Sequence, residues 1–242
     1  MNGWCVSDKG RVRKQNQDSC YIDIKPDCAV LVVCDGMGGA KAGNVASRLA
    51  ADIVAGEMKN EIKPHMGAKA MKQTIEMAAY RANRAISELA KTNPDYYGMG
   101  TTLVCAVVGV KAAVVANVGD SRAYLLNDSG IKQVTRDHSV VEDLLDRGTL
   151  TNEEARTHPK KNLITRALGT ELDVACDLFE IEPRQGDFLL LCSDGLTNML
   201  DDQEILYEVI HGGAIENCCD RLVALSNMRG GPDNITVALL SV

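Results

Sequence analysis

Short apolar segments separated by turn-forming residues are the main pattern of this chain. Segments rich in Val, Leu and Ile occupy residues 29–34, 102–108, 112–118, 122–126, 188–192 and 235–240. Each segment has the length of a β-strand and is bounded by Gly, Asp or Asn, which favour turns. The pattern therefore predicts a core made largely of β-sheet.

Helical periodicity appears between these segments. Apolar residues recur at steps of three and four, as on the inward face of a helix, at Met71, Ile75, Ala78, Ala82, Ile86 and Leu89. The same spacing predicts a helix over residues 45–53 and a late pair of helices over 205–209 and 215–225. Strands joined by tight turns, with helices arriving in pairs, indicate the α+β class with mainly antiparallel sheets.

Residues 139–155 follow a different pattern. Ser139 with Glu142, and Thr151 with Glu154, have the spacing of a capping box, in which each side chain bonds the other residue's backbone N–H. We therefore expect a small insertion of short helices. No repeat, low-complexity tract or long linker interrupts the sequence, so a single domain over residues 1–242 is expected.

Charge and hydropathy exclude several classes of protein. The formal net charge is −7 and the pI is about 5.2, whereas nucleic-acid-binding proteins present a basic surface. The sequence lacks the basic-then-apolar pattern of an export signal. Gly109 and Lys111 interrupt its most apolar region, which falls short of the about 20 residues of a membrane-spanning helix. We expect a cytoplasmic monomer that binds neither nucleic acid nor membrane.

The nine cysteines give no sign of a disulfide framework. Their number is odd, and most lie within apolar segments such as 29–34 and 189–192. Free thiols in a reducing compartment account for them, and the sequence assigns them no chemistry.

Acidic residues stand where predicted strands end. Asp35 follows the segment 30–34 and precedes Gly36, and Asp194 follows 189–193 and precedes Gly195. A rigid strand holds such a carboxylate in place, while the glycine lets a ligand approach closely. Carboxylate and water oxygens are the ligands that Mg²⁺ and Mn²⁺ prefer.

Three further acids flank apolar segments, namely Asp18, Asp120 and Asp233. Any one Asp-Gly or Asp-Asn pair is more often a turn former than a ligand. Several such acids together indicate a bound cation, because clustered carboxylates repel one another unless a cation lies among them.

Eight ordered motifs resemble those of the metal-dependent protein phosphatases of the 2C type, particularly their compact bacterial members. They occupy residues 13–18 (RKQNQD), 33–39 (VCDGMGG), 98–102 (GMGTT), 117–122 (NVGDSR), 137–139 (DHS), 165–169 (TRALG), 193–196 (SDGL) and 233–236 (DNIT). The resemblance covers the whole chain. It implies a four-layer α-β-β-α sandwich with a metal site in a cleft at one edge of the two sheets, and a flap at about residues 139–163.

The resemblance also implies roles for the acids. Asp35 is similar to the residue that bridges two tightly bound cations, with the Gly36 carbonyl as a further ligand. Asp194 and Asp233 resemble ligands of one cation, and Asp18 resembles an acid that contacts the pair mainly through water.

A weaker third cation is implied at Asp120, which resembles the acid that holds it together with Asp194. Two cations sharing a water lower its pKa, so that a hydroxide becomes the nucleophile and no protein nucleophile is needed. Arg13 is the candidate phosphate clamp, because a guanidinium binds two oxygens at once. Arg13, Asp18 and Asp35 are thus the candidate catalytic residues.

The expected function is hydrolysis of phosphoserine and phosphothreonine in proteins, with Mn²⁺ or Mg²⁺ as cofactor. Phosphorylated proteins and a cognate serine/threonine kinase pathway are the expected partners. Two alternatives stay open: a silent phosphatase-fold binding module, and a hydrolase of small phosphate esters.

Three positions depart from the family pattern. Met37 and Ala40 stand where members of the family often carry histidine, so a histidine general acid is not expected there. Gln17 replaces a common glutamate. The four histidines are scattered without metal-ligand spacing and are interpreted as structural or surface residues: His65, His138, His158 and His211.

Overall fold

The computed structural model describes residues 1–39 and 42–242. Its strands form two sheets, and the described pairings are antiparallel. The first sheet contains, in spatial order, β1 (Asn2–Asp8), β11 (Ile235–Ser241), β10 (Phe188–Cys192), β7 (Arg122–Asn127) and β8 (Gly130–Gln133). The second contains β2 (Asp18–Lys25), β3 (Cys28–Met37), β5 (Leu103–Gly109), β6 (Ala113–Val118) and β9 (Asp177–Ile181), with β4 (Gly100–Thr101) paired to β3.

Helices cover the outer face of each sheet. On the second sheet lie α1 (Ala42–Glu61) and α2 (Ala68–Thr92), and on the first lie α5 (Asp194–Thr197), α6 (Asp202–Ile210) and α7 (Cys218–Met228). Two short helices, α3 (Val140–Asp146) and α4 (Asn152–Thr157), form the helical insertion. Single 3₁₀ turns occur at Pro94–Tyr96 and Ile215–Asn217. This arrangement confirms the four-layer α-β-β-α sandwich.

Strand β3 shows why the sequences of the central strands are unbroken runs of apolar residues. Side chains alternate between the two faces of a strand, so Val32 packs among the residues of α1 and α2 while Leu31 packs between the sheets. Both faces are therefore buried and apolar. A further cluster of buried apolar residues, which includes Leu239 of β11 and Leu222 of α7, lies between the first sheet and its helices.

The apolar segments of the sequence do not predict five of the strands. These are the strands at the four sheet edges, β1, β8, β2 and β9, and the two-residue β4. An edge strand has one neighbour and is only partly buried, so β1 and β2 mix polar residues with apolar ones instead of forming long apolar runs. The first and last strands lie side by side, with Asn2 of β1 opposite Ser241 of β11.

The helical insertion contains the two predicted N-caps. Thr151 and Glu154 form the complete capping box. Ser139 accepts a hydrogen bond from the Glu142 backbone at 3.2 Å, but the Glu142 carboxylate instead accepts from Arg136 Nε at 3.1 Å. The reason is the adjacent guanidinium, a stronger partner for a carboxylate than a backbone N–H.

Among the helices of the described chain, none combines the length and apolar character that crossing a bilayer requires.

Candidate metal centre

Asp18 and Asp35 lie directly opposite each other on β2 and β3. The backbone of Asp35 is fixed on its other side, since its N–H donates to Thr102 Oγ1 at 2.9 Å and its carbonyl accepts from Thr102 N at 2.8 Å. Thr101 Oγ1 donates to the same carbonyl at 2.9 Å. These bonds hold the Asp35 carboxylate at the sheet edge, as expected from its position at the end of an apolar run.

Hydroxyl groups from the first sheet hold Asp18. Its Oδ2 accepts from Ser193 Oγ at 2.8 Å and from Thr236 Oγ1 at 2.7 Å, while its Oδ1 is buried without a hydrogen-bond partner. The residue is only 7% exposed. One oxygen of a buried carboxylate is therefore left for a ligand.

Asp194 follows β10 and is the first residue of α5. Asn198 Nδ2 donates to Asp194 Oδ2 at 2.9 Å, and Asp194 Oδ1 is buried without a partner. Gly195 allows the chain to pass close to the Asp233 loop, because a Cβ there would lie 1.9 Å from the Asn234 carbonyl oxygen. The glycine thus brings Asp194 beside Asp233.

Asp233 Oδ2 accepts a hydrogen bond from Arg13 Nη2 at 2.6 Å. The loop that carries Arg13 is tied to Asn234, whose Nδ2 donates to the carbonyls of Lys9 at 2.9 Å and Gln15 at 3.0 Å. The exposed side chain of Arg13, the candidate phosphate clamp, therefore lies beside the candidate metal ligand Asp233.

Gly36 continues β3 past Asp35, and its N–H donates to the Gln17 carbonyl at 3.0 Å. A Cβ at Gly36 would lie 2.1 Å from the Gly43 carbonyl oxygen in α1. Only glycine permits this close approach, which packs the end of β3 against the first turn of the helix.

Asp120 lies in the loop after β6. The preceding Gly119 has φ +106° and exchanges two bonds with His138, its N–H donating to Nδ1 at 3.0 Å and its carbonyl accepting from the His138 N–H at 2.9 Å. Nearby, Arg122 forks onto both oxygens of Asp137 at 2.7–3.0 Å. Arg122 thus supports the loop that carries Asp120.

The carboxylates have strongly perturbed pKa values. Burial raises the pKa of Asp18 to about 7, of Asp120 to about 8 and of Asp194 to about 6. Burial also raises the pKa of Asp35 well above its usual range, and repulsion from Asp18, Asp194, Asp120 and Asp233 adds to it. Ionising all five carboxylates in one region is therefore costly without a cation.

The donor set fits a hard divalent cation. Asp18 Oδ1 and Asp194 Oδ1 are buried oxygens without partners, and the surrounding groups are carboxylates and carbonyls. Within residues 1–39 and 42–242, however, no three His, Cys, Asp or Glu side chains already surround one point closely enough to hold an ion. Arg13 and Asn198 donate to oxygens of Asp233 and Asp194, so cation binding at these carboxylates would require them to give up those hydrogen bonds.

A cavity of about 640 Å³ extends from Asp120 and Asp194 toward the helical insertion. Val141 and Lys161 line its insertion side, and Asp202 lies on the α6 side. The cavity is mainly polar and open, as access for a phosphorylated side chain requires.

No described histidine is placed as a general acid at the carboxylates. His138 is buried; its Nδ1 accepts from Gly119, and its Nε2 lies 3.2 Å from Asp177 Oδ2. Burial lowers the pKa of His138. Arg166 supports the same region by donating to Asp177 Oδ1 at 2.7 Å. Met37 and Ala40 stand where members of the family often carry histidine. Met37 is half-buried at the end of β3, and Ala40 lies outside the described residues.

No role is predicted from the sequence for Ser193, Thr236 and Thr102, although all three stand in the quoted motifs. Each is buried and bonds a candidate ligand or its backbone. Ser193 stands at the end of an apolar strand and next to Asp194, a position that could have indicated its role, whereas Thr102 and Thr236 have no acid beside them in the sequence.

Comparison with known proteins identifies relatives over nearly the whole chain. The model of the family described as protein phosphatase 2C matches residues 10–223. The serine/threonine phosphatase stp of Listeria welshimeri is 39% identical over 235 residues, which are 97% of this chain and 93% of the relative.

Solved structures agree with this similarity. The serine/threonine phosphatase Stp1 from Staphylococcus aureus superposes with a TM-score of 0.92 at 38% identity, covering 100% of this chain and 95% of that one. The catalytic domain of the phosphatase PstP in complex with two manganese ions has a TM-score of 0.85 at 36% identity, covering 98% and 96%.

Proposed function

Because this chain belongs to the protein phosphatase 2C family, we propose that its clustered carboxylates hold the divalent cations of a serine/threonine phosphatase. The observation that carries the proposal is the pair of buried, unpartnered oxygens on Asp18 and Asp194, beside the raised pKa of Asp35. A cation would satisfy the two oxygens and relieve the repulsion together.

The chain is a metal-dependent serine/threonine protein phosphatase, as its relatives are. We propose manganese as its metal, since a solved relative is in complex with two manganese ions. We propose that phosphorylated proteins, dependent on a cognate kinase pathway, are its substrates. We further propose a cytoplasmic, monomeric, single-domain enzyme whose residues 139–163 act as a flap beside the cleft.

Asp35 is the proposed shared ligand of two tightly bound cations. The carboxylates of Asp18, Asp120, Asp194 and Asp233 repel the carboxylate of Asp35. Asp35 therefore lies among them, where it could contact more than one cation. The Gly36 carbonyl would add a neutral oxygen beside it. Asp194 and Asp233 would complete one site.

Asp18 is proposed to act mainly through water. Ser193 and Thr236 hold one of its oxygens, which leaves a single oxygen facing the centre. Asp120, opposed by Asp194, is proposed to hold a weaker third cation with it.

Bound Mn²⁺ or Mg²⁺ would supply an ionised water as nucleophile and neutralise charge on the phosphoryl oxygens. The chain's own residues bind and orient the substrate. Arg13 offers two parallel N–H groups to the phosphate. Its side chain is 53% exposed and so accessible to a phosphorylated residue.

The leaving serine or threonine oxygen needs a proton. His138 cannot supply it, because Nδ1 accepts from a backbone N–H and Nε2 faces Asp177. We therefore propose that a water in the cleft, and no histidine, gives this proton.

The test is hydrolysis of a phosphothreonine peptide and of mononucleotides, each with Mn²⁺ and with excess chelator. We expect the peptide to be hydrolysed with Mn²⁺ and neither substrate with chelator. Preference for mononucleotides would favour a small-ester hydrolase. Absence of turnover with Mn²⁺ bound would favour a silent binding module.

A further inference from the structure

Strands β1 and β2 belong to different sheets and lie over each other, with Cα atoms approaching within 8 Å. At one end Gly3 packs on Ile22, since a Cβ at Gly3 would lie 2.5 Å from Ile22 Cδ1. At the other end Ser7 Oγ lies 2.7 Å from Thr236 Oγ1, which bonds Asp18. Residue 3 thus lies over residue 22, and residue 7 lies near residue 18.

This register places Cys5 over Cys20. Both residues pack at the margin of the core between the sheets, and both are half-buried free thiols. The neighbouring Cys20 thiol lowers the pKa of Cys5, against the opposing effect of burial. Deprotonation of Cys5 gives the thiolate, the form that reacts with oxidants, directly beside a second thiol.

We propose that Cys5 and Cys20 are an oxidative modification site, at which a peroxide converts the two thiols into a disulfide that joins the sheets. The Cys5 thiolate attacks one peroxide oxygen and breaks the O–O bond, giving a sulfenic acid and releasing hydroxide. The Cys20 sulfur then attacks the Cys5 sulfur, and the sulfenic oxygen leaves as water with the thiol proton. Both sulfurs are oxidised as the peroxide is reduced. The inference is independent of the proposed phosphatase mechanism.

The remaining half-buried cysteine provides a matched control. Cys176 has similar partial exposure, but burial raises its pKa to about 12, so it stays a protonated thiol. Cys219 lies close to the pair, yet its thiol donates to the Trp4 carbonyl at 3.6 Å and burial raises its pKa. If exposure alone decided reactivity, Cys5 and Cys176 would react equally with peroxide. They differ because Cys5 lies beside the second thiol of Cys20.

The experiment treats the Mn²⁺-loaded full chain with hydrogen peroxide at pH 7, alkylates the remaining thiols and maps peptides by mass spectrometry. The digestion must cleave between Cys20 and Cys28, so that the two are assigned separately. We expect a Cys5–Cys20 linked peptide, lighter by two hydrogen atoms than the two thiol peptides and cleaved by dithiothreitol. Cys176→Ser should keep this product, and Cys5→Ser and Cys20→Ser should lose it.

Thermal unfolding gives a second readout on the unmodified sequence. A cross-link across residues 5–20 restricts the unfolded chain, so oxidation should raise the Tm by roughly 5–10 °C, reversibly with dithiothreitol. Peroxide that modifies Cys176 as fast as Cys5, or that leaves Cys5 oxidised with Cys20 still free to alkylate, would overturn the proposal.

Discussion

Arg13 Nη2 donates to Asp233 Oδ2 at 2.6 Å, although the two residues stand 220 positions apart in the sequence. The guanidinium thus holds an oxygen that a cation would claim. If cations bind Asp233 as proposed, the positive charge of Arg13 would become available to a phosphate in the cleft. The pair would then couple cation binding to the availability of the proposed phosphate clamp.

Arg13→Ala should raise the KM for a phosphopeptide by roughly 10- to 100-fold, since hydrogen bonds to charged groups contribute about 1.5–3 kcal/mol. The fall in kcat should be smaller, because the clamp binds ground and transition states alike. Arg13→Lys should rescue only part of the loss. Steady-state kinetics checks this, with exposed Arg11→Ala as control. Unchanged kinetics for Arg13→Ala would remove it from the substrate site.

Asp35→Asn should abolish phosphopeptide hydrolysis while the chain stays folded. The substitution removes the shared negative charge but keeps the backbone bonds to Thr102. Circular dichroism, Mn²⁺ titration and turnover together check this. Asp27→Asn, in the turn at the other end of β3, is the matched control. Retained turnover in Asp35→Asn would contradict the ligand assignment.

Asp120→Ala should spare the tight binding of two cations but raise the Mn²⁺ concentration needed for full activity. The expected third cation has fewer protein ligands, so loss of one weakens it first. Calorimetric titration and activity at graded Mn²⁺ measure both effects, with Asp128→Ala in an exposed turn as control. Loss of the tight pair would show that Asp120 belongs to it.

Without cations, stability should fall as pH rises from about 4 to 8. The pKa of aspartate in the unfolded chain is about 3.9, whereas burial in the folded chain raises the pKa of Asp194 to about 6 and of Asp18 to about 7. In this window the folded chain holds protons that the unfolded chain has lost, so raising pH removes stability.

Calorimetry in chelator should therefore give a higher Tm at pH 6 than at pH 8, and Mn²⁺ should raise the Tm more at pH 8. Asp35→Asn should flatten the dependence, because it removes one of the repelling charges. If the Tm in chelator instead increased from pH 6 to pH 8, the buried carboxyl groups would not have the raised pKa values on which this prediction depends.

His138→Ala should lower the free energy of unfolding by about 1–3 kcal/mol, because it leaves the buried Gly119 N–H without its acceptor. His138→Asn should recover part of this, since Asn Oδ1 can take the place of Nδ1. Neither variant should remove a limb of the kcat profile near pH 6.5. Loss of such a limb would identify His138 as the proton donor.

The central strands and the acids that follow them could be predicted from the sequence. β3 and β10 are buried on both faces, so their apolar runs are unambiguous, and Asp35 and Asp194 follow directly from them. The sheet edges could not be predicted in this way, because partial burial permits polar residues in β2, where Asp18 lies.

Long-range contacts of the site also escaped prediction. Ser193 and Thr236 bond Asp18 across 175 and 218 positions. Hydroxyl residues are common in strands for other reasons, and only the stacking of the two sheets shows which carboxylate they face. The bidentate pairing of Arg122 with Asp137 is likewise visible only in three dimensions.

The pairing of β1 with β11 has a consequence for synthesis of the chain. Asn2 emerges from the ribosome first, yet its partner Ser241 emerges last among the paired residues. β1 therefore stays without its partner until β11 has been synthesised, and Asp233, just before β11, can reach the other carboxylates only then. Contacts of such long sequence separation slow folding. A chain truncated before residue 233 would lack both Asp233 and β11, the partner of β1, so we expect such a truncated chain to be inactive.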